Sequence, residues 1–472
     1  MANQSIITTY TKQQVAIQIY YSLSAILPAL NAPTVPLATM YAFLAKADPW
    51  TDGTPVPTQD LYSIKQMQKS MFVAKKMNAA DLSIVLPRVD WVSGTTYTEW
   101  SDHIAMLTLD PTGGFVYNFY VRNSFDQVFK CLCNANGAPS TVEPYFQPGQ
   151  YNTLNIFQGG DGYKWKFMYT LDIGSKIKFL DDNWMPIPVG FNFPNSVDPV
   201  GITVFGPEGS GGIEVVNLSN GGSGYTSSNV INVIITGDGT GATATVTSLG
   251  QNGGILDIQV TNPGKNYTYA NVAITSLSGT GATAYAPVSP AGGHGYDPVS
   301  ELGAHSLMIS AEFDRNEFLD GVVYLPTDIE YYQMGVLVST TSTVNYPYTA
   351  NAIIYKTTTD LSVSQGQGQF LFDEIVYQSS DGTYPTAVSS GWTGTVLNFD
   401  SGNNVINVIN TTGTLNPGLQ VYGKSSTTTR TLLTITKPVF DIFSGYPLVL
   451  QNLDGVTRSP DGIEQFKIVI SA

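Results

Sequence analysis

The chain has 472 residues, of which 12% are charged, about half the usual share, while Gly (46), Pro (27) and Tyr (27) are abundant. Its formal net charge of −15 excludes a protein whose main work is neutralising phosphates, because that binding runs on clustered Lys and Arg; nucleic acid is not an expected partner. The length allows roughly three domains with a sizeable core, and the composition favours strands and turns over helices.

The N-terminal MANQSIITTYTKQQ has no basic segment followed by an apolar run, so no signal peptide is expected. No stretch approaches the roughly 18 consecutive apolar residues of a membrane span. Periodicity predicts two amphipathic helices packed on a sheet. One covers 11–27, with Val15, Ile19, Leu23 and Ile26 or Leu27 on one stripe; the other covers 58–77, capped by Thr58, with Leu61, Ile64, Met67 and Met71 aligned. Between them TMYAFLA reads as a strand, followed by a loop punctuated by Pro and Gly. From 80 to 200, the runs LSIVLPRVDW, HIAMLTL, FVYNFYVR, QVFKCLC and KWKFMYTL predict strands. The only cysteines, Cys131 and Cys133, stand at i and i+2 on one face of such a strand. Without a second Cys or His pair they read as small buried residues, and a disulfide framework is excluded.

Residues 211–290 contain an internal duplication. GGIEVVNLSNGGSGYTSSNVINVIITGDGTGATATV returns as GGILDIQVTNPGKNYTYANVAITSLSGTGATAYAPV, with Gly211, Tyr225 and Asn229 recurring at Gly253, Tyr267 and Asn271. The pair predicts a compact β module in which the copies bury each other's apolar faces. From 355 to 445, FLFDEIVYQ, WTGTVLNFD, NNVINVINT, GLQVYGK and TRTLLTIT are separated by turns at the spacing of a small barrel or sandwich. The flanking 301–354 and 446–472 read as strands returning to the first domain.

GLQVYGKS (418–425) satisfies G-x-x-x-x-G-K-[ST] at every fixed position. A phosphate loop, however, follows a buried strand with a flexible turn and opens a helix whose amides bind the phosphates. Here Leu419, Gln420, Val421 and Tyr422 are strand residues, and the β-branched SSTTTRTLLTIT predicts no helix after Lys424 on which Ser425 would stand. The match reads as accidental. GGDGYKW (159–165), GDGTGATA (237–244) and GGSGYT (221–226) invite a calcium or anion reading, but the calcium β-roll needs Asp where Thr226 stands, and tight turns account for all three. Catalytic material is scarce. Of the three histidines, His103, His294 and His305, two lie in or beside the turn-rich GGHGYDPVSELGAHS, and no G-x-S-x-G occurs. Asp181 with Asp182, and Asp373 with Glu374, are adjacent, which sends them to opposite faces of a strand; they read as solvated charge. No catalytic residue, cofactor or metal site is predicted.

As an ordered set, ADPWTDGTPVPTQD, a Met- and Lys-rich helix, LSIVLPRVDW with a Tyr-rich TTYTEW, and GGDGYKWKFMYTLD resemble one phage protein family. It is the baseplate wedge protein beside the short-tail-fibre attachment proteins of T-even-like contractile-tailed bacteriophages. The matching positions are Asp48, Pro49 and Trp50; Leu86, Pro87, Arg88, Asp90 and Trp91; and Asp161, Gly162, Tyr163 and Trp165. The closing NLDGVTRSPDGIEQFKIVISA and the pieces GGHGYDPVSELGAH and EYYQMGVLV agree, so the resemblance covers roughly 1–200, 291–345 and 445–472.

The resemblance implies a structural, non-enzymatic subunit located in the virion tail baseplate and made in the host cytoplasm. It implies a β-rich α+β core carrying several mainly-β domains, either β-sandwich or small barrel modules, and a homodimer within each wedge. Other wedge proteins and short-tail-fibre attachment proteins are the implied partners, held during assembly and during the rearrangement that triggers sheath contraction; no membrane partner is implied. The expected division is an α+β core from 1–100, 291–354 and 446–472, a β domain over 101–200, the inserted duplicated module over 201–290, and an inserted barrel or sandwich over 355–445. Trp50 and Trp91 read as interface anchors or as core residues. A second reading is a tail adhesin whose repeat module binds host-surface glycans through exposed Tyr225, Tyr267 or Tyr269. A third is an enzyme, a nucleotide hydrolase at Lys424 or a glycosidase using distant carboxylates.

Overall fold

A computed structural model describes residues 8–24, 40–46, 48–110, 114–147, 154–189, 211–314, 318–319, 322–323, 329–340, 354–385, 391–438, 441–458 and 463–471. The fold is the β-rich α+β class expected from composition, 47% strand and 11% helix, and it includes a closed six-stranded barrel. Four α-helices occur among the described residues: α1 (Thr9–Ser24), α2 (Leu61–Ser70), α3 (Ile173–Phe179) and α4 (Pro298–Leu302). None is long and apolar enough to cross a membrane. Two compact units divide the chain, one within residues 1–20, 82–309 and 468–472, the other within 21–81 and 310–467.

In the first unit, α1 forms where periodicity predicts a helix, but its buried face differs from the expected stripe. Gln13 and Ala16 are buried while Val15 is exposed, because the Gln13 amide donates to the carbonyls of Val299 and Ser300 at 3.2 and 3.3 Å. Residues 26 and 27 of the predicted stripe lie outside the described residues. The central sheet orders Tyr120–Arg122, Gln127–Asn134, Tyr163–Thr170 and Ile156–Gln158, all antiparallel. Its core packs Val121, Phe129, Cys131 and Phe167 against Tyr97, Tyr163 and Trp165. Both cysteines are buried as expected, and a register shift between them breaks the simple two-residue alternation.

Two predicted strands shrink. HIAMLTL (103–109) forms turns, closed by local bonds such as Thr108 Oγ1 to Ala105 O at 2.6 Å, with one isolated bridge from Leu109 to Phe115. FVYNFYVR is a strand only over Tyr120–Arg122.

The duplicated module closes by exchange. At its centre Ile231–Gly237 of the first copy pairs with Ala270–Ser276 of the second. Thr240–Leu249 of the first copy pairs with Ile255–Lys265 of the second, and Thr280–Tyr285 of the second pairs with Asn217–Ser223 of the first. The third strand of each copy therefore completes the sheet begun by the first strand of the other, so neither copy is closed alone.

In the second unit a five-stranded sheet orders Ile354–Lys356, Met71–Lys76, Met40–Ala45, Glu330–Val338 and Tyr446–Thr457. The predicted helix over 58–77 is corrected here. It ends at Ser70, and Met71–Lys76 is a strand, because Phe72 and Val73 with their neighbours supply a buried β run that pairs with Met40–Ala45. The N-cap is Asp60 rather than Thr58: its carboxylate accepts the Ser63 N–H at 2.9 Å, and Thr58 donates to that carboxylate at 2.5 Å. The barrel runs Thr359–Val363, Val405–Thr412, Gly391–Asp400, Ile375–Ser379, Gln420–Gly423 and Thr429–Thr436 around a core that includes Leu361, Val376, Trp392, Val396 and Leu432.

Candidate functional site

The phosphate-loop pattern falls on a barrel hairpin. Gln420–Gly423 is a strand, a turn follows, and the next element is the strand Thr429–Thr436 rather than a helix. The turn does form a cradle of amides, and a carboxylate of the same chain fills it. Glu374 accepts from the N–H groups of Leu371, Ser425 and Ser426 at 2.7, 3.0 and 2.9 Å, and from the Ser426 hydroxyl at 2.8 Å. Lys424 turns away and lies 4.2 Å from the centroid of the Tyr384 ring. The donors a phosphate would use are satisfied internally.

Two of the other Gly-rich turns are likewise closed by a carboxylate. Asp161 of GGDGYKW accepts from the Thr141 and Val142 amides at 2.8 and 3.0 Å, from the Ser140 hydroxyl at 3.1 Å, and from the Tyr163 amide at 3.2 Å. Asp238 of GDGTGATA accepts from the Thr268 amide and hydroxyl at 2.8 and 2.6 Å, and those bonds hold its pKa low. Each carboxylate ties its turn to a distant segment, Asp161 to residues 140–142 and Asp238 to Thr268 of the other repeat copy.

The repeat tyrosines need correcting. Of the three expected to be exposed, Tyr225 and Tyr267 are buried, 4% and 5% exposed, and Tyr269 is open to solvent. Each buried ring packs against the other copy: a Cβ added to Gly279 would meet Tyr225 at 2.4 Å, and one added to Gly239 would meet Tyr267 at 2.4 Å. The backbone N–H of Tyr225 donates to Gly253 O, and that of Tyr267 to Gly211 O, both at 2.9 Å. Tyr and Gly recur in the repeat because they lock the exchange.

The motif positions behind the resemblance are also engaged. In the second unit, Lys46 pairs with Asp48 at 2.9 Å and lies 4.4 Å from the Trp50 ring centroid, while the Trp50 indole N–H donates to Leu453 O at 2.9 Å. In the first unit, Asp90 receives Arg88 and Arg122, at 2.6 and 2.9 Å, and Arg122 continues to Asp126 at 3.1 Å. Trp91 is half-buried beside Tyr97 and Trp165, its indole N–H 3.1 Å from Ser140 Oγ. The carboxylate neighbours do not form acid pairs. Asp181 caps the Asn183 and Trp184 amides while Asp182 is exposed, and Glu374 is buried while burial, then Asp48, push Asp373 up to about 6.

The densest buried chemistry lies elsewhere, in the first unit, among residues the sequence does not link. Lys130 Nζ is 2.8 Å from Glu301 Oε2, 2.9 Å from His294 Nδ1 and 4.4 Å from the Trp100 ring centroid. The imidazole stands edge-on to the same indole, centroids 4.6 Å apart. Two further lysines of the sheet repeat the pattern: Lys166 pairs with Glu214 at 3.5 Å and Lys164 with Asp257 at 2.9 Å. Glu214 also accepts the His294 backbone N–H at 2.6 Å. Glu301 is delivered by α4, whose start is set by Asp297 capping Ser300 at 3.1 Å and whose end is set by Gly303 at φ 76°. The D-P…G spacing was the available signal for this helix inside GGHGYDPVSELGAHS.

Electrostatically the Lys130 ammonium is satisfied, while the buried His294 Nε2 has no hydrogen-bond partner among the described residues. Burial pushes the Lys130 amine down, and the facing carboxylate opposes it; Glu301, against its own burial, is brought to about 2 by Lys130 and His294. Burial, then Lys130, push His294 down. With carboxylate, imidazole and ring face all occupied, the ammonium is a tie between segments rather than a nucleophile. The cluster forms part of the wall of a groove of about 640 Å³ whose other side is the apolar run 104–109, the segment expected to be a strand. His103 is exposed, and His305 is buried with Nδ1 2.9 Å from Gly303 O. In comparisons with known proteins, no family model matches this chain and no curated protein matches it.

Proposed function

We propose that the chain is a structural, non-enzymatic subunit of a contractile-tail baseplate wedge, holding neighbouring wedge proteins during assembly and during the rearrangement that triggers sheath contraction. The observation that carries this reading is the state of the polar groups a ligand-binding or catalytic protein would leave open. Glu374, Asp161 and Asp238 take up amides and hydroxyls of other segments of the same chain, and Lys130, Lys164 and Lys166 are tied to carboxylates of the same chain. Polar chemistry devoted to fixing segments suits a part that must keep its shape while its neighbours move. The ordered motifs at Asp48 to Trp50, Leu86 to Trp91 and Asp161 to Trp165 supply the specific assignment.

Serum raised against the chain, applied to intact virions and viewed by electron microscopy, tests it. Label at the periphery of the baseplate disc supports the reading, and particles without label reject it. Label on fibres favours the adhesin alternative, for which Tyr269 is the exposed one of the three tyrosines named. The isolated chain is expected to sediment as a dimer at micromolar concentration.

A further inference from the structure

In the second unit a cavity of about 410 Å³ opens beside Trp50, within the size range of small-ligand sites. Trp50, Tyr62 and Met67 give it apolar and aromatic walls, and Gln66, Gln333 and Asn410 give it carboxamides. The bond from the indole N–H to Leu453 O fixes the Trp50 ring before any ligand arrives.

The charges around the cavity are settled within the protein. Lys46 is held by Asp48 at 2.9 Å and by the Trp50 ring, so it is not free to receive an anion. Asp373, raised by burial and then by Asp48, adds negative potential nearby. Two carboxamides remain open: neither Gln66 nor Asn410 makes a side-chain hydrogen bond among the described residues. Each offers a donor and an acceptor to a hydroxyl.

We propose that this cavity binds a neutral mono- or disaccharide, its C–H face against Trp50 and Tyr62 and its hydroxyls on Gln66 and Asn410. Aromatic walls with uncharged amides match a ligand that is apolar on one face and hydroxyl-rich on its edge. The proposal stands apart from the wedge reading, since a structural subunit can carry a sugar site.

Saturation-transfer NMR on the full chain tests it, using glucose, galactose, N-acetylglucosamine and maltose, with glucuronate and N-acetylneuraminate as anionic controls. Transfer to ring protons of at least one neutral sugar is expected, with an affinity weakened by about tenfold or more in Gln66→Ala/Asn410→Gly. Glycine keeps the φ of 53° at position 410, so the variant removes the carboxamide without straining the strand. Three results would each overturn the proposal: no transfer to any neutral sugar, undiminished transfer in the double variant, or preference for the anionic sugars.

Discussion

The Nζ of Lys130 lies 2.9 Å from Nδ1 of His294, with both side chains enclosed. An ammonium only donates, so Nδ1 accepts and the imidazole is neutral with its proton on Nε2. Glu301 and Glu214 also face the ring, yet burial and Lys130 prevail and keep its pKa below the ordinary 6.5. The unfolded chain then binds the proton more readily. The contribution of His294 to stability is complete above 6.5 and shrinks as pH falls towards the folded value. His305, lowered by burial, acts with the same sign. Glu301 acts later: its pKa of about 2 means its contribution is lost only below the ordinary 4.5. The melting temperature is therefore expected to fall between about pH 7 and pH 5, and less so in His294→Gln, whose amide oxygen can accept from Lys130 without titrating. Equal slopes for the two proteins would remove His294 from the account.

The Lys166–Glu214 pair, with both side chains fully buried, yields a second expectation. Lys166→Met leaves an uncompensated carboxylate in the core and should cost about 3–5 kcal/mol. Lys166→Met/Glu214→Leu should recover most of that loss, because removing both charges removes the desolvation cost as well. Urea unfolding of the two variants measures the difference, and a double variant no more stable than the single one would show that the pair acts through some other contact.

Much of the fold was legible because strands announce themselves through β-branched and aromatic runs, and the duplicated and barrel regions are built from such runs. The boundary at Ser70 was not, since Leu61, Ile64, Met67 and Met71 keep helical spacing across a point where the chain changes to a strand; pairing with Met40–Ala45 decides it. The stripe on α1 misled for a related reason, as a buried amide at Gln13 takes the inner face. The lysine cluster was illegible in principle. Lys164 and Lys166 read only as alternation in KWKFMYTL, and their partners Asp257 and Glu214 lie far along the chain. The strand-like interior of the phosphate-loop match was legible, since Gln420–Gly423 is a strand, whereas the carboxylate that fills the amides of its turn, Glu374, could be found only in three dimensions.

The exchanged repeat supplies a third test. Gly279 combines φ of 83° with the ring of Tyr225 at 2.4 Å from any added Cβ, so Gly279→Ala is doubly penalised and should cost about 2 kcal/mol or more. Gly239→Ala meets the Tyr267 ring at the equivalent place without the positive φ, so it should be destabilised by the ring contact alone. Tyr269→Ala, at an exposed position, should change stability by no more than about 0.5 kcal/mol. Thermal melts of the three variants rank them, and a neutral Gly279→Ala would mean the copies do not lock through this contact.

The barrel turn supplies the last. If Glu374 occupies the amides of Ser425 and Ser426, the wild-type chain should show no heat in an ATP titration, and Lys424→Ala should be indistinguishable from it. Glu374→Ala should instead act on stability, because it leaves the Leu371, Ser425 and Ser426 amides without their shared acceptor at a cost of about 2–3 kcal/mol. The emptied turn would still lack a helix behind it, so ATP binding is not expected to appear in that variant either. Calorimetry on the three proteins separates the possibilities: binding by the wild type that Lys424→Ala abolishes would restore the nucleotide reading, whereas three flat titrations with one destabilised barrel would assign Glu374 as the permanent occupant of the turn.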